Sequence, residues 1–172
     1  MSTTHVVRTN FETPLGSWMI AGTDKGLSFL AFDSNNADES FARFVQRVGE
    51  DVQVSEATGE LDEAVRQLRE YAAGERSEFD LPLDLHGTDF ELSVWAELGR
   101  IPFGETRTYG DIARALGDAG ASRAIGGANG RNPLPVVVPC HRVVAANGLG
   151  GFSGGAGIKE RLLSHEGALL FG

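Results

Sequence analysis

The sequence predicts an α+β protein, with a sheet-rich N-terminal half and a mostly helical C-terminal half. Residues 5–32 alternate apolar segments with turn residues, which is typical of a β-meander. Helical periodicity dominates the second half. A chain of 172 residues can bury a core in each of two small domains. We therefore expect an N-terminal α/β domain over residues 1–86 and a C-terminal domain over residues 87–172.

Three strands and two helices are predicted before the domain boundary. The strands lie at about residues 5–11, 17–21 and 27–32, and the first helix follows from the apolar spacing between Phe41 and Val48. The same spacing predicts a second helix over residues 59–73. Residues 79–85 alternate like a strand, although Pro82 restricts them to a sheet edge or a linker. We expect the acidic residues here to form a solvated face.

The C-terminal half begins with two predicted helix starts. Thr88 and Glu91 have the spacing of a capping box, as do Thr108 and Asp111. The first box opens a helix whose predicted apolar face consists of Phe90, Val94, Leu98 and Ile101. The second opens a short helix that reaches Leu116.

A third helix is predicted after the turn at residues 117–120, with Ser122 as its N-cap. Together with the preceding helix it has the layout of a helix-turn-helix, which serves DNA binding or plain helical packing. Gly126, Gly127 and Gly130 weaken this third helix by about 1 kcal/mol each relative to alanine. Such small residues permit close approach of another backbone, either a DNA strand or a neighbouring helix.

The only cysteine, Cys140, lies between a proline and a histidine. Val136–Val138 predict a short buried strand, which Pro139 ends. His141 is placed to take up the thiol proton, directly or through a water molecule. From the thiol alone, Cys140 is either a nucleophile or a small buried apolar residue.

The last predicted helix, Ile158–His165, places Glu166 on its apolar face, where a carboxylate requires a partner or serves as a cap. The glycine-rich residues 147–157 precede it. They form either a flexible loop or a pocket wall of backbone amides.

Composition and charge limit the possible functions. The net charge is −9, but residues 87–172 carry eight basic and eight acidic side chains, so the excess lies in the first half. A basic face for nucleic acid is therefore expected in the second half. No apolar run is long enough for a membrane helix, and no signal peptide is recognised. One cysteine and four histidines favour a reduced cytosolic protein without a metal site.

Residues Asn132–Val143, Asn-Pro-Leu-Pro-Val-Val-Val-Pro-Cys-His-Arg-Val, resemble the active-site motif of the O6-alkylguanine-DNA alkyltransferases. Arg123–Ala128, Ser153–Gly155 and His165–Gly167 resemble flanking segments of that family in the same order. The resemblance runs from about Phe90 to the end. It implies a ribonuclease-H-like first domain and a winged-helix-like second domain.

The resemblance also implies residue roles. Cys140 accepts the alkyl group, His141 takes its proton through a water, and Glu166 orients His141. Asn132 acts as a hinge, and Tyr109 contacts the target phosphate and the purine. Arg123 fills the space of the extruded base. The remaining implied DNA contacts are Ser122, Ala124, Gly126, Gly127 and Arg131; the implied pocket residues are Pro135, Val143, Phe152, Ser153 and Gly154.

The implied activity is irreversible transfer of an alkyl group from O6-alkylguanine, and from O4-alkylthymine, in double-stranded DNA. A monomer without a cofactor is expected. Phe152 departs from the tyrosine usual in the family, so a hydroxyl role there is not expected. Two other classes remain open: a lesion-binding relative without transfer, which usually lacks the cysteine, and a cysteine hydrolase.

Overall fold

The computed structural model describes residues 3–32, 36–150 and 156–168. It divides into two compact units, Met1–His86 and Gly87–Gly172. The predicted α+β class is confirmed, because the first unit contains a sheet with helices and the second is mostly helical. None of the helices in these described ranges has the length and apolar character that crossing a membrane requires.

The first unit is built on a four-stranded sheet in the order β3-β2-β1-β4. Its elements are β1 (Thr4–Thr13), β2 (Gly16–Thr23), β3 (Gly26–Phe32), α1 (Ala37–Val48), β4 (Val52–Glu56) and α2 (Asp62–Ala72). The first three strands pair antiparallel, which confirms the predicted meander. Helix α1 buries Phe41 and Phe44 against the sheet, so the spacing that predicted it reflects the core.

The sequence analysis missed strand β4, which pairs parallel with β1 through a non-local contact. The prediction that residues 79–85 lie at a sheet edge or form a linker is confirmed, because they make no continuous strand and Leu83 forms an isolated bridge with Leu27 of the edge strand β3. The Pro82 carbonyl accepts a hydrogen bond from the Leu27 N–H at 2.9 Å, beside the sheet edge.

The second unit surrounds the segment that contains Cys140. Its elements are α3 (Asp89–Leu98), β5 (Arg107–Thr108), α4 (Tyr109–Ala115), α5 (Ser122–Gly130), a 3₁₀ turn (Cys140–Arg142), β6 (Val143–Val144) and α6 (Ala156–His165). Both capping boxes are confirmed, with Thr88 and Thr108 as the N-caps. The short strands β5 and β6 pair parallel, so the chain after Cys140 lies beside the start of α4.

Three local predictions in this unit are wrong. Phe90 is 40% exposed, and α3 buries Glu91 and Trp95 instead. Ser122 is the first helical residue of α5 and not its cap, since the N-cap is Ala121, which has no capping side chain. Val136–Val138 form a turn and not a strand, with Val136 at φ 75°. A β-branched residue rarely adopts this left-handed conformation, so the surrounding contacts must hold the turn in place.

Candidate active site

The segment that leads to Cys140 is held by Asn132. Its side-chain amide donates to the Val138 carbonyl at 2.9 Å, and its oxygen accepts from the Leu134 N–H at 3.0 Å. Asn132 is itself buried. The two hydrogen bonds fix both sides of the turn that contains Val136, and this is how the sequence positions the cysteine.

The Cys140 thiol is almost completely enclosed, with 1% of the residue exposed. Burial raises the pKa of the Cys140 thiol to about 11. A hydrogen bond from Asn132, the charge of Lys159 and the backbone N–H groups of Cys140 and His141 act in the opposite direction, lowering this pKa. At neutral pH the sulfur is therefore held as a thiol, close to groups that stabilise the thiolate once the proton leaves.

His141 and Glu166 form a buried pair. Nε2 of His141 lies 2.7 Å from Oε2 of Glu166, and both side chains are fully inaccessible to solvent. Burial lowers the pKa of His141, although Glu166 acts to raise it. A neutral imidazole that donates from Nε2 leaves Nδ1 as an acceptor. Among the described residues, nothing hydrogen-bonds to Nδ1, so it is available to accept a proton.

Arg142 shares the carboxylate of Glu166. Its Nε and Nη2 atoms lie 2.8 and 3.0 Å from the two carboxylate oxygens, and Nη1 donates to the Ile101 carbonyl at 2.7 Å. This pairing balances the buried negative charge. The sequence analysis expected a basic face in the second half of the chain, but the structure places Arg142 in the interior.

Lys159 is a second residue that the sequence reasoning missed. It is completely buried, and its Nζ donates to the Val143 carbonyl at 2.6 Å. Burial lowers the pKa of Lys159 to about 8, and the nearby Cys140 acts to raise it. Lys159, Leu162, Leu163 and Glu166 follow the spacing of one helix face, and this pattern could have indicated an inward-facing lysine.

Helices α4 and α5 present the predicted DNA-contacting residues. Arg123 and Ala124 are exposed on α5, whereas Ser122, Gly126 and Gly127 are half-buried. The Tyr109 ring, at the start of α4, lies near Gly126 on one side and Gly150 on the other. The structure therefore brings Tyr109 together with α5 and the beginning of the glycine-rich loop.

Arg131 and Trp95 connect α5 to α3. Nε of Arg131 lies 2.5 Å from the buried carboxylate of Glu91, and the Trp95 indole N–H donates to the Ala128 carbonyl at 2.9 Å. Arg131 still exposes half of its side chain. These contacts hold a helix that its glycines make intrinsically weak.

Two of the five predicted pocket residues lie among the residues that the structure describes. Pro135 and Val143 are buried near the active-site turn. Phe152, Ser153 and Gly154 lie outside the described residues. The geometry around Cys140 therefore consists of a buried thiol, an imidazole acceptor and the carbonyls of the turn.

Two family models match the chain. One, described as the 6-O-methylguanine DNA methyltransferase ribonuclease-like domain, covers residues 6–85. The other, described as the DNA binding domain of the same proteins, covers residues 89–168. A methylated-DNA–protein-cysteine methyltransferase of Methanosarcina acetivorans is 44% identical over 92% of this chain and 96% of its own length. The chain belongs to the 6-O-methylguanine DNA methyltransferase family.

Other members of the 6-O-methylguanine DNA methyltransferase family agree with this assignment. The Mycobacterium tuberculosis methylated-DNA–protein-cysteine methyltransferase is 54% identical over 63% of this chain and 66% of its own length. The crystal structure of the M. tuberculosis O6-methylguanine methyltransferase superposes with a TM-score of 0.81 at 41% identity, covering 94% of this chain and 93% of that one. The M. tuberculosis OGT structure in complex with DNA gives a TM-score of 0.80 at 41% identity, covering 95% and 92% of the two chains.

Proposed function

We propose that this protein repairs DNA directly, by moving the alkyl group of O6-alkylguanine to Cys140. The observation that carries the proposal is the buried thiol beside His141, whose Nε2 is bound by Glu166 and whose Nδ1 is an acceptor. The relatives bear the name methylated-DNA–protein-cysteine methyltransferase, which describes this transfer. O4-alkylthymine is proposed as a second substrate.

The transfer is a displacement at the alkyl carbon. The Cys140 proton moves to Nδ1 of His141 through a water molecule, and Glu166 stabilises the resulting imidazolium. The sulfur attacks the alkyl carbon and the carbon–O6 bond breaks. The electron pair of that bond stays on the guanine, which a hydrogen bond from Tyr109 stabilises. The product is a thioether, which has no carbonyl for water to attack, so the protein reacts once.

DNA binding is assigned to helix α5 and its surroundings. Arg123 enters the duplex and takes the place of the extruded base, because removing a base from the stack costs a few kcal/mol that a wedge offsets. Tyr109 presses on the phosphate of the target nucleotide. The proposed backbone contacts come from Ser122, Ala124, Gly126, Gly127 and Arg131, and their small or basic character suits close approach to phosphates.

The base pocket is assigned to the turn and the loop that follows it. Carbonyls near Cys140 and Val143 accept from the exocyclic amine of guanine, and the Ser153 N–H binds its oxygen. Pro135, Phe152 and Gly154 form the walls, and Asn132 connects α5 to the turn. Residues 87–172 thus carry out binding and transfer, while residues 1–86 have a structural role.

The protein is proposed to act as a monomer, since Cys140, His141 and Glu166 come from one unit of one chain. Its substrate is DNA and its chemistry depends on a reduced thiol, so we propose the cytoplasm, with its nucleoid DNA, as its location.

Intact-mass spectrometry after mixing with a duplex that contains O6-methylguanine tests the proposal. We expect one added methyl per protein, on the peptide that contains Cys140, and no further reaction when the lesion is in excess. The Cys140→Ser variant should bind the duplex and gain no methyl. Continued turnover would identify a hydrolase or other true catalyst, and binding without any mass change would identify a lesion-binding protein.

A further inference from the structure

Asn129 is a buried polar residue on α5 that the proposed mechanism does not use. It shares the buried face of the helix with Ile125 and Ala128, and only 3% of it is exposed. Its side-chain Nδ2 donates to the carbonyl oxygen of Cys140 at 3.4 Å. Arg123 and Ala124 are exposed on the same helix. One helix therefore contacts the nucleophile through Asn129 and presents the proposed DNA contacts elsewhere on its surface.

The Asn129 side chain is poorly suited to a purely structural role. Its Oδ1 is buried and accepts no hydrogen bond within residues 3–32, 36–150 and 156–168. A buried acceptor that loses its contact with water destabilises the folded state, and asparagine favours a helix less than leucine does. An apolar side chain of similar size would satisfy the packing on this face. A residue that opposes stability in this way calls for another explanation.

The hydrogen bond from Asn129 acts on the peptide group between Cys140 and His141. That group is planar, so the direction of the Cys140 carbonyl fixes the direction of the His141 N–H. The His141 N–H is one of the groups that hydrogen-bond to the Cys140 sulfur and lower its pKa. A donor on the carbonyl both orients the peptide and polarises its N–H, which then stabilises negative charge on sulfur more strongly.

We propose that Asn129 is a positioning residue for alkyl transfer, which holds the Cys140–His141 peptide so that its N–H faces the reacting sulfur and thereby connects α5 to the nucleophile. Its contact differs from those of Asn132, which bind the Val138 carbonyl, the Leu134 N–H and the Cys140 sulfur itself. This inference rests on the proposed transfer to Cys140.

The test compares Asn129→Leu with the unmodified protein, with O6-methylguanine as the free base and no DNA. Leucine keeps the branched skeleton of four heavy atoms, with bulkier methyl groups, and removes both the donor and the unpartnered oxygen. We expect the thermal midpoint to stay constant or rise. The rate of methylation near pH 7 should fall by about tenfold, and the pH–rate profile should move about one unit to higher pH, because one pKa unit is a factor of ten in thiolate.

Gly130→Ala is the matched control, since it changes the next residue of α5 and a Cβ there meets nothing within 4 Å. It should leave the free-base rate and its pH profile unchanged. If Asn129→Leu does not fold, Asn129→Ala provides the same measurement with a smaller side chain.

An unchanged rate in a folded Asn129 variant would overturn the inference, and so would a slower rate with an unshifted profile, which indicates only a disturbed fold. Methylation of the wild-type protein, measured in the same experiment, distinguishes failure of this inference from failure of the proposed transfer. If the wild type accepts no methyl group, the proposed transfer fails, whereas a difference between wild type and variant tests Asn129 alone.

Discussion

The guanidinium of Arg142 contacts both carboxylate oxygens of Glu166, at 2.8 and 3.0 Å, while one of these oxygens also lies 2.7 Å from His141. Glu166 is therefore shared between a permanent cation and a titratable imidazole. Because Arg142 balances the buried charge, Glu166 can bind a neutral His141 without raising its pKa above the ordinary value. The carboxylate of Glu166 therefore stabilises the fold through Arg142 and orients the His141 imidazole.

Glu166→Gln is expected to affect stability and chemistry together. It leaves Arg142 as an uncompensated buried cation, which should destabilise the protein by about 3 kcal/mol or more. It also removes the partner that raises the basicity of His141. Methyl transfer near neutral pH should slow, and its pH–rate profile should move to higher pH. Denaturant unfolding and rates against pH measure both effects, with Glu160→Gln on the exposed face of α6 as the control. A less stable variant with an unshifted profile would remove Glu166 from the mechanism.

Arg123→Ala should slow repair of duplex DNA by at least about tenfold more than reaction with the free base. The proposed Arg123 wedge offsets the cost of base extrusion, and that cost exists only in the stacked duplex. Arg100→Ala removes one exposed arginine of the same unit and is the control for lost charge. Equal slowing on both substrates would show that Arg123 supports the fold and does not act on DNA.

Gly150→Ala should displace Tyr109. Gly150 has φ 75°, and a Cβ there would lie 2.8 Å from the Tyr109 hydroxyl oxygen. Because small misplacements of reacting groups can slow a reaction about a hundredfold, we expect transfer to fall by about tenfold to a hundredfold. Gly117→Ala has nearly the same φ, 79°, but open space around its Cβ, so it controls for backbone strain. Identical single-turnover rates in the two variants would exclude the effect on Tyr109.

Lys159→Met should change how stability depends on pH. The folded-state pKa of Lys159 is lowered to about 8 from 10.5, so above pH 8 the unfolded chain binds more protons than the folded one. The wild type should therefore gain stability from Lys159 as pH rises from 8 toward 10.5, by up to about 1.4 kcal/mol per unit. Urea unfolding at pH 7.5 and pH 9 measures this gain, which Lys159→Met should lack. Both proteins carry Cys140→Ser in this measurement, because Lys159 and the Cys140 thiol shift each other's pKa and their titrations would otherwise mix. An equal pH dependence in the variant would refute a buried ammonium.

The sequence predicted the elements that local interactions determine. Both capping boxes were found because Thr88 and Thr108 contact their partners three residues away. The inward direction of Glu166 followed from helical spacing. Strand β4 was missed because four of its five residues are exposed and the strand it pairs with, β1, is far away in the sequence. A strand that is mostly exposed and pairs with a distant segment shows little alternation of apolar and polar residues in its own sequence.

The active-site turn shows why some of the candidate site could not be predicted. Val136–Val138 have the composition of a strand, but they adopt a turn that Asn132 ties on both sides. Propensity is a weak guide where tertiary hydrogen bonds hold a strained valine. Lys159 and Asn129 were missed because lysine and asparagine are usually exposed. Helical spacing could have indicated the burial of Lys159, whereas the burial of Asn129 became evident only from the packing.

The high pKa of the Cys140 thiol has a consequence for the time before a lesion is met. A protein that reacts once loses its function if oxidants or stray electrophiles consume its sulfur first. Such reactions attack thiolates that solvent can reach. Cys140 is 1% exposed, and burial holds its pKa near 11, so thiolate is scarce in the resting protein. Burial therefore protects the Cys140 sulfur from these side reactions, so that the protein stays able to react until it meets an alkylated base in DNA.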